Sequence, residues 1–396
     1  MHQRIRQVLF WLFAIVFVTT APIIVLYTAG YRYNSVSGRL QRTGVIAVST
    51  TPRGASILLN GTPVEQRTPY VIQRLMPGTY TVTLERKNYH SWTQTIAVDS
   101  GRTTYINSTM LADAEPELLL EEQFSAAAVS PDGRTVAMFV NNADVMAEIW
   151  LYDIASRSER QLAELLMSDV IPTTITWSSA GDSVILANED GPIAAWYEQD
   201  GTALATDALD NASNLLPEYT FIDNGSNVEL RTNNEANVLV ALLPFGEYTV
   251  MYRTDTAAVF HDNRSHAYIF TFATNGVSAI EMPVDLLAWS DENNLFLASD
   301  QYEVDMVNPF TGERTLVTRQ GTPITDVEWH PSGQVILAAT HSEIVAIDRI
   351  AYTSRVSTPL AQNVDVSTMW TDQSGKNLYF LGSQGTISGI YQLKLN

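Results

Sequence analysis

Six histidines and 43 acidic side chains are the groups with which this 396-residue chain could do chemistry, because it contains no cysteine. That absence removes disulfides, thiol nucleophiles, iron–sulfur clusters and cysteine-ligated zinc. His261 and His330 fall at matching turn positions of a repeated pattern, where a polar turn residue is expected, so both read as structural. His261 and His266 stand five apart without a His-Glu-x-x-His pattern, which argues against a metal site. His2, His90 and His341 stand alone. Glu121-Glu122, Asp291-Glu292 and Asp169 lack the alternating oxygen ligands of a calcium loop and read as solvated faces. No phosphate-binding or dinucleotide-binding glycine motif occurs. The nearest approach to a serine-hydrolase elbow, Gly385-Thr386-Ile387-Ser388-Gly389, has its serine out of place. The expectation is therefore a non-enzymatic protein with no catalytic, cofactor-binding or metal residues and no cofactor. Sequons at Asn60, Asn107, Asn211, Asn224 and Asn263 would matter only in a glycosylating cell.

The elements that carry these residues divide by charge. The formal net charge is -20, from 23 basic and 43 acidic residues, which opposes nucleic acid as a partner. No acidic residue precedes Glu65, whereas Arg4, Arg6, Arg32, Arg39 and Arg42 all lie in the first 44 residues. The head is basic and the body acidic. From Val8 to Gly30 the chain carries no charge over 23 residues, about 34 Å of helix against a bilayer core of roughly 30 Å. A retained transmembrane helix is the reading. A cleaved signal peptide would need a shorter apolar region and a small-x-small cleavage site, which Tyr27 and Pro22 spoil. Trp11 at one end and Tyr27, Tyr31 and Tyr33 at the other fit interfacial belts, and Pro22 is placed to kink the helix. Arginines flank both sides. The orientation expected from the short leading tail and the acidic body is N-terminus inside, with residues 31–396 outside.

Residues 45–111 hold short alternating runs separated by turn signals, among them Pro52-Arg53-Gly54, Asn60-Gly61 and Pro77-Gly78. Six or seven strands without helical periodicity predict a β-sandwich. The order Pro52-Arg53-Gly54-Ala55, Asn60-Gly61, Thr68-Pro69, Leu75-Met76-Pro77-Gly78-Thr79-Tyr80, Asn88-Tyr89 and Trp92 resembles the PEGA domain of bacterial and archaeal surface proteins, with Arg53 where the name-giving tetrapeptide has Glu. That resemblance implies an extracytoplasmic sandwich of the cell envelope with no catalytic residues to carry over. Tyr80, Tyr89 and Trp92 read as packing residues, a sugar platform being the rival use.

After the acidic linker 112–116, one unit recurs seven times: an apolar strand ending in a large residue, a polar turn, and a second apolar strand. The first strands end at Val129, Trp177, Ile222, Phe260, Trp289, Trp329 and Trp370, at intervals of 48, 45, 38, 29, 40 and 41 residues. A period of about 40 with several strands per unit signals propeller blades. The interval of 29 is too short for a four-stranded blade, so the fourth unit lacks its outer strand or is miscounted. Residues 117–123 have no blade of their own and are expected to complete the last one, joining the ends of the ring. Ser130-Pro131-Asp132-Gly133 and His330-Pro331-Ser332-Gly333 give these units a resemblance to WD-repeat and Tol-associated propellers, which implies a disc presenting loops for protein binding. The Gly-His and Trp-Asp signatures of WD repeats are missing.

The fold class expected is all-β with one transmembrane helix: tail 1–7, helix 8–30, juxtamembrane segment 31–44, PEGA-like sandwich 45–111, linker 112–116, and a seven-bladed propeller over 117–396, six or eight blades being the alternatives. The function expected is a membrane-anchored scaffold engaging an envelope protein or wall polymer through the propeller. A sensor working with a partner subunit is the first alternative. A hydrolase or lyase using convergent carboxylates in the propeller channel is the second.

Overall fold

The computed structural model describes residues 2–34, 38–141, 146–166, 173–178, 180–188, 191–205, 215–264 and 266–396, so Asp169 and Asn211 lie outside the described residues. These fall into two compact units. The first comprises residues 1–113 together with 350–356 and Asn396, and the second the remainder. The division departs from the expected boundaries at residues 350–356, which group with the sandwich.

In the first unit a single helix runs from His2 to Thr28, through Pro22. It covers most of the expected tail and ends two residues before the expected limit, because Gly30 takes a left-handed φ of 86°. The stretch Arg6–Thr28 has a mean hydropathy of 2.6 and buries none of its length. A two-stranded hairpin, Tyr31–Asn34 with Arg39–Arg42, follows it.

The sandwich packs two sheets. Gly44–Thr51 lies between Tyr70–Leu75 and, in parallel, Thr103–Thr109; the second sheet runs Thr62–Arg67, Ser56–Leu59, Gly78–Glu85, Trp92–Val98. Strict alternation decides which side is buried: in Trp92–Val98 every second residue, from Trp92 to Val98, faces inward. Trp92, Ile96 and Val98 join Ile46, Val48, Ile57, Ile72, Val82, Leu84 and Ile106 in one core. Asn60 and Gly61 both have positive φ, as their hairpin turn requires. The buried Thr68 hydroxyl contacts that of Thr50 at 2.6 Å and accepts from the N–H groups of Gly54 and Ala55. The Thr-Pro and Pro-Arg-Gly-Ala turns are thus one hydrogen-bonded corner, which is why the two motifs occur together.

In the second unit, seven antiparallel sheets follow one another among the described residues. The first, fifth and sixth have four consecutive strands. The seventh is completed from the beginning of the unit: Glu117–Glu121 pairs antiparallel with Ile387–Lys394, Glu117 opposite Gln392. The pairing of the unit's two ends expected from the sequence is present. A pair of cross-strand glycines permits it, since a Cβ at Gly389 would fall 1.9 Å from the Leu120 carbonyl oxygen and one at Gly382 the same distance from that of Asp365.

The fourth unit is a correction. Its sheet has four strands, beginning with Tyr248–Arg253, so Ala257–Asp262 is its second strand. Burial agrees: Ala257–Phe260 are all buried, like the second strand Val335–Thr340 of sheet six, whereas Tyr248–Arg253 is half-buried. The short interval belongs to the third sheet, whose described strands are three. Only residues 244–247 separate its last strand, Leu239–Leu243, from sheet four, too few for another strand. The misreading has a physical cause: the buried Asp262 carboxylate accepts the N–H groups of Arg264 and His266, the same Asx-type turn that Asp372 makes between the first two strands of sheet seven.

Candidate functional site

His330 and His261 therefore do not occupy matching positions. His261 lies within a strand, opposite Thr249 and Ala267. His330 is buried in the first turn of sheet six. Its Nδ1 accepts from the Ser332 N–H at 3.1 Å, and its Nε2 meets the Gly375 carbonyl at 2.9 Å, in the corresponding turn of sheet seven. Burial pushes its pKa below the usual histidine value, so the neutral ring is a fixed link between sheets. The same link recurs with other side chains. Asn293 Nδ2 donates to the Gly333 carbonyl at 2.9 Å, from sheet five to six, and Trp370 Nε1 to that of Gly133 at 3.1 Å, from sheet seven to one. Gly133, Gly333 and Gly375 each end a turn with φ between 63° and 72°, a backbone state glycine adopts without strain.

Between sheets six and seven the first strands lie side by side, and each carries a bulge. Thr325 is the extra residue between Ile324 and Asp326, and Ser367 between Val366 and Thr368. Bulges re-aim side chains. Both residues line one cavity of about 650 Å³ with Glu122, Phe124, His341 and Asp365. His341 Nδ1 is 2.7 Å from Asp365 Oδ1. Ser367 donates to the Leu381 carbonyl, while the Thr325 hydroxyl is shielded and has no partner. No lysine or arginine lines the cavity. It offers carboxylate and hydroxyl oxygens, a set suited to an ammonium or guanidinium group.

Beside it, the carboxyl groups of Asp326 and Glu328 project from the first strand of sheet six. Burial pushes the Asp326 pKa up to about 7, against hydrogen bonds from the Met369 and Val327 N–H groups at 2.6 and 2.8 Å. Burial and the Asp326 charge push Glu328 up to about 8. Tyr252, on the first strand of sheet four, is pushed to about 12 by burial, with Glu328 and Asp291 adding to the effect. Asp326 spends both oxygens on backbone donors of adjacent sheets, the use of a structural staple. Periodicity located this strand, but its two acids gave no sequence signal, because only the packing of neighbouring sheets buries them.

The other singled-out residues are spread out. Asp291 accepts from Trp289 Nε1 at 2.6 Å, and His266 contacts Asp262 at 3.0 Å. His90 approaches Asp113 only to 3.9 Å. Among the described residues no three His, Asp or Glu side chains gather where a metal could sit. Ser388 lines the cavity just before Gly389, on the strand that follows the left-handed Gly385 turn. In the sandwich Trp92 is buried, and Tyr80 and Tyr89 pack against the core, with the Tyr80 hydroxyl on the Met76 carbonyl. The exposed aromatic there is Tyr105, 68% accessible.

Comparison with known proteins places the first domain: residues 43–112 match the PEGA domain. No curated protein matches the chain. Among solved structures, it is similar to a chain of a mitotic checkpoint complex, at 15% identity and a TM-score of 0.49, covering 72% of this chain and 90% of that one. It is also similar to the RRP9 WD40 repeats, at 12% identity and a TM-score of 0.49, covering 71% and 98%. The class is thus an all-β protein in which an apolar helix precedes a sandwich that matches the PEGA domain and seven successive antiparallel sheets.

Proposed function

We propose that this is a single-pass membrane protein of the cell envelope, with residues 31–396 extracytoplasmic, whose seven sheets are the seven blades of a non-enzymatic binding scaffold. The observation that supports it most is the helix Arg6–Thr28, with a mean hydropathy of 2.6 and unburied, ahead of a PEGA domain. The contact surface we assign is the cavity lined by Thr325, His341, Asp365 and Ser367. Its partner is an envelope protein or wall polymer bearing a lysine, arginine or free amine, since an acidic cavity on an acidic body attracts cations. The test is alkaline phosphatase activity of a fusion at Asn396 in intact cells, followed by crosslinking with and without Asp365→Asn. High activity and a crosslinked partner lost in the variant support the reading; a stable but inactive fusion sinks it.

A second reading rests on Glu328, whose raised pKa is what a general acid needs. Turnover of wall glycans that disappears in Glu328→Gln would favour a hydrolase or lyase over the scaffold.

A further inference from the structure

The arginines that follow the helix are organised. The helix ends at Thr28, and the hairpin Tyr31–Asn34/Arg39–Arg42 is tied to that end: Thr43 donates to the Gly30 carbonyl through its N–H at 2.9 Å and its hydroxyl at 3.1 Å. Arg32 turns back to donate to the Tyr27 and Tyr31 carbonyls at 2.9 and 2.8 Å, its guanidinium 3.7 Å over the Tyr27 ring. It satisfies a carbonyl of the last turn, where a cation is favoured. The pairing Tyr31↔Arg42 and Tyr33↔Leu40 puts those four residues on one face, with Arg32, Gln41 and Arg39 on the other. Tyr33 and Leu40 are 68% and 56% exposed, and Arg39 and Arg42 are exposed with them. An isolated hairpin that leaves an aromatic and a leucine in water is unsatisfied by water alone, and no acid precedes Glu65 to neutralise the arginines.

We propose that this hairpin is a membrane-surface site for anionic phospholipids: Tyr31, Tyr33 and Leu40 seat at headgroup depth, and Arg39 and Arg42 bind lipid phosphate. The inference rests on the membrane-spanning reading of the helix, which fixes the hairpin at the interface. Tyrosine suits that depth, and guanidinium groups bind phosphate oxygens in pairs. The site also accounts for the arginines that follow the span, which together with Arg4 and Arg6 ahead of it make the charge count uninformative about orientation.

The lack of cysteine allows single labels. The full chain carrying Leu40→Cys with an environment-sensitive fluorophore is placed in nanodiscs of phosphatidylcholine alone or mixed with phosphatidylglycerol, and quenching by headgroup-level nitroxide lipids is read. Ile15→Cys, inside the helix, reports the span. The expected result is quenching at position 40 that rises about two-fold with the anionic lipid and loses that rise in Arg39→Gln/Arg42→Gln. A water-exposed label at 40, or one indifferent to lipid charge, overturns the proposal while position 15 stays lipid-quenched. Failure at position 15 as well overturns the span itself.

Discussion

From sheet five round to sheet one, neighbouring turns are joined by side-chain hydrogen bonds to glycine carbonyls, whereas sheets three and four meet through rings. Asn293, His330 and Trp370 make the first kind of joint, each with fixed direction and length. Tyr219, Phe221, Tyr248, Phe260 and Phe270 make the second, with centroids 5.0 to 5.7 Å apart, mostly edge to face. The Arg253–Glu218 pair, at 2.7 and 2.9 Å, adds one polar tie there. A hydrogen bond to a buried carbonyl specifies register and costs the fold when broken. Ring packing supplies area and tolerates irregularity. The arc with the irregular sheet is the arc held by rings, and the cavity lies in the arc held by clips.

The largest expected effect breaks the aromatic arc. Phe260→Ala should cost ~3–5 kcal/mol and release hydrogen-exchange protection in sheets three and four before sheets six and seven. Equal loss all round would mean the arcs are one cooperative unit. Gly389→Ala attacks the closure of the clipped arc; the added methyl forces apart the strands beside Leu120, at about 1–3 kcal/mol or more. In the open turn at Gly225, where a Cβ meets nothing, alanine should cost only the left-handed strain of roughly 1–2 kcal/mol. Thermal unfolding of the two variants side by side checks the difference.

His330→Ala leaves the Gly375 carbonyl without its partner and should lower stability by about 1–3 kcal/mol. His266→Ala, at an exposed ring in the aromatic arc, should stay within roughly 0.5 kcal/mol. A separate effect is a pH slope. The folded state holds protons on Asp326 and Glu328 that the unfolded chain has released, so these groups make stability fall as pH rises from about 4 toward 8. Glu328→Gln should flatten that fall, and an unchanged profile from chemical denaturation at several pH values would remove Glu328 from the account.

Alternation and turn chemistry carried most of the fold from the sequence. The inward face of Trp92–Val98, the Asn60-Gly61 turn and the pairing of Glu117–Glu121 with the last strand were all legible there. The fourth sheet was not, because an Asx turn at Asp262 looks the same whether it joins first to second strand or second to third. Of the cavity, His341 stands solitary in the sequence, because its partner Asp365 lies 24 residues away, a separation that no local pattern signals.

By itself the sequence determined what depends on near neighbours: an apolar span, a basic head before an acidic body, strand faces set by a period of two, and turns set by glycine, asparagine and proline. Tertiary structure alone decided which strand opens each sheet, that His330 links two sheets, that two bulges turn Thr325 and Ser367 into one cavity, and that Asp326 and Glu328 share a low-dielectric site. Those outcomes depend on which distant strands lie side by side, and burial, which shifts a carboxyl by several pKa units, exists only once the sheets have assembled.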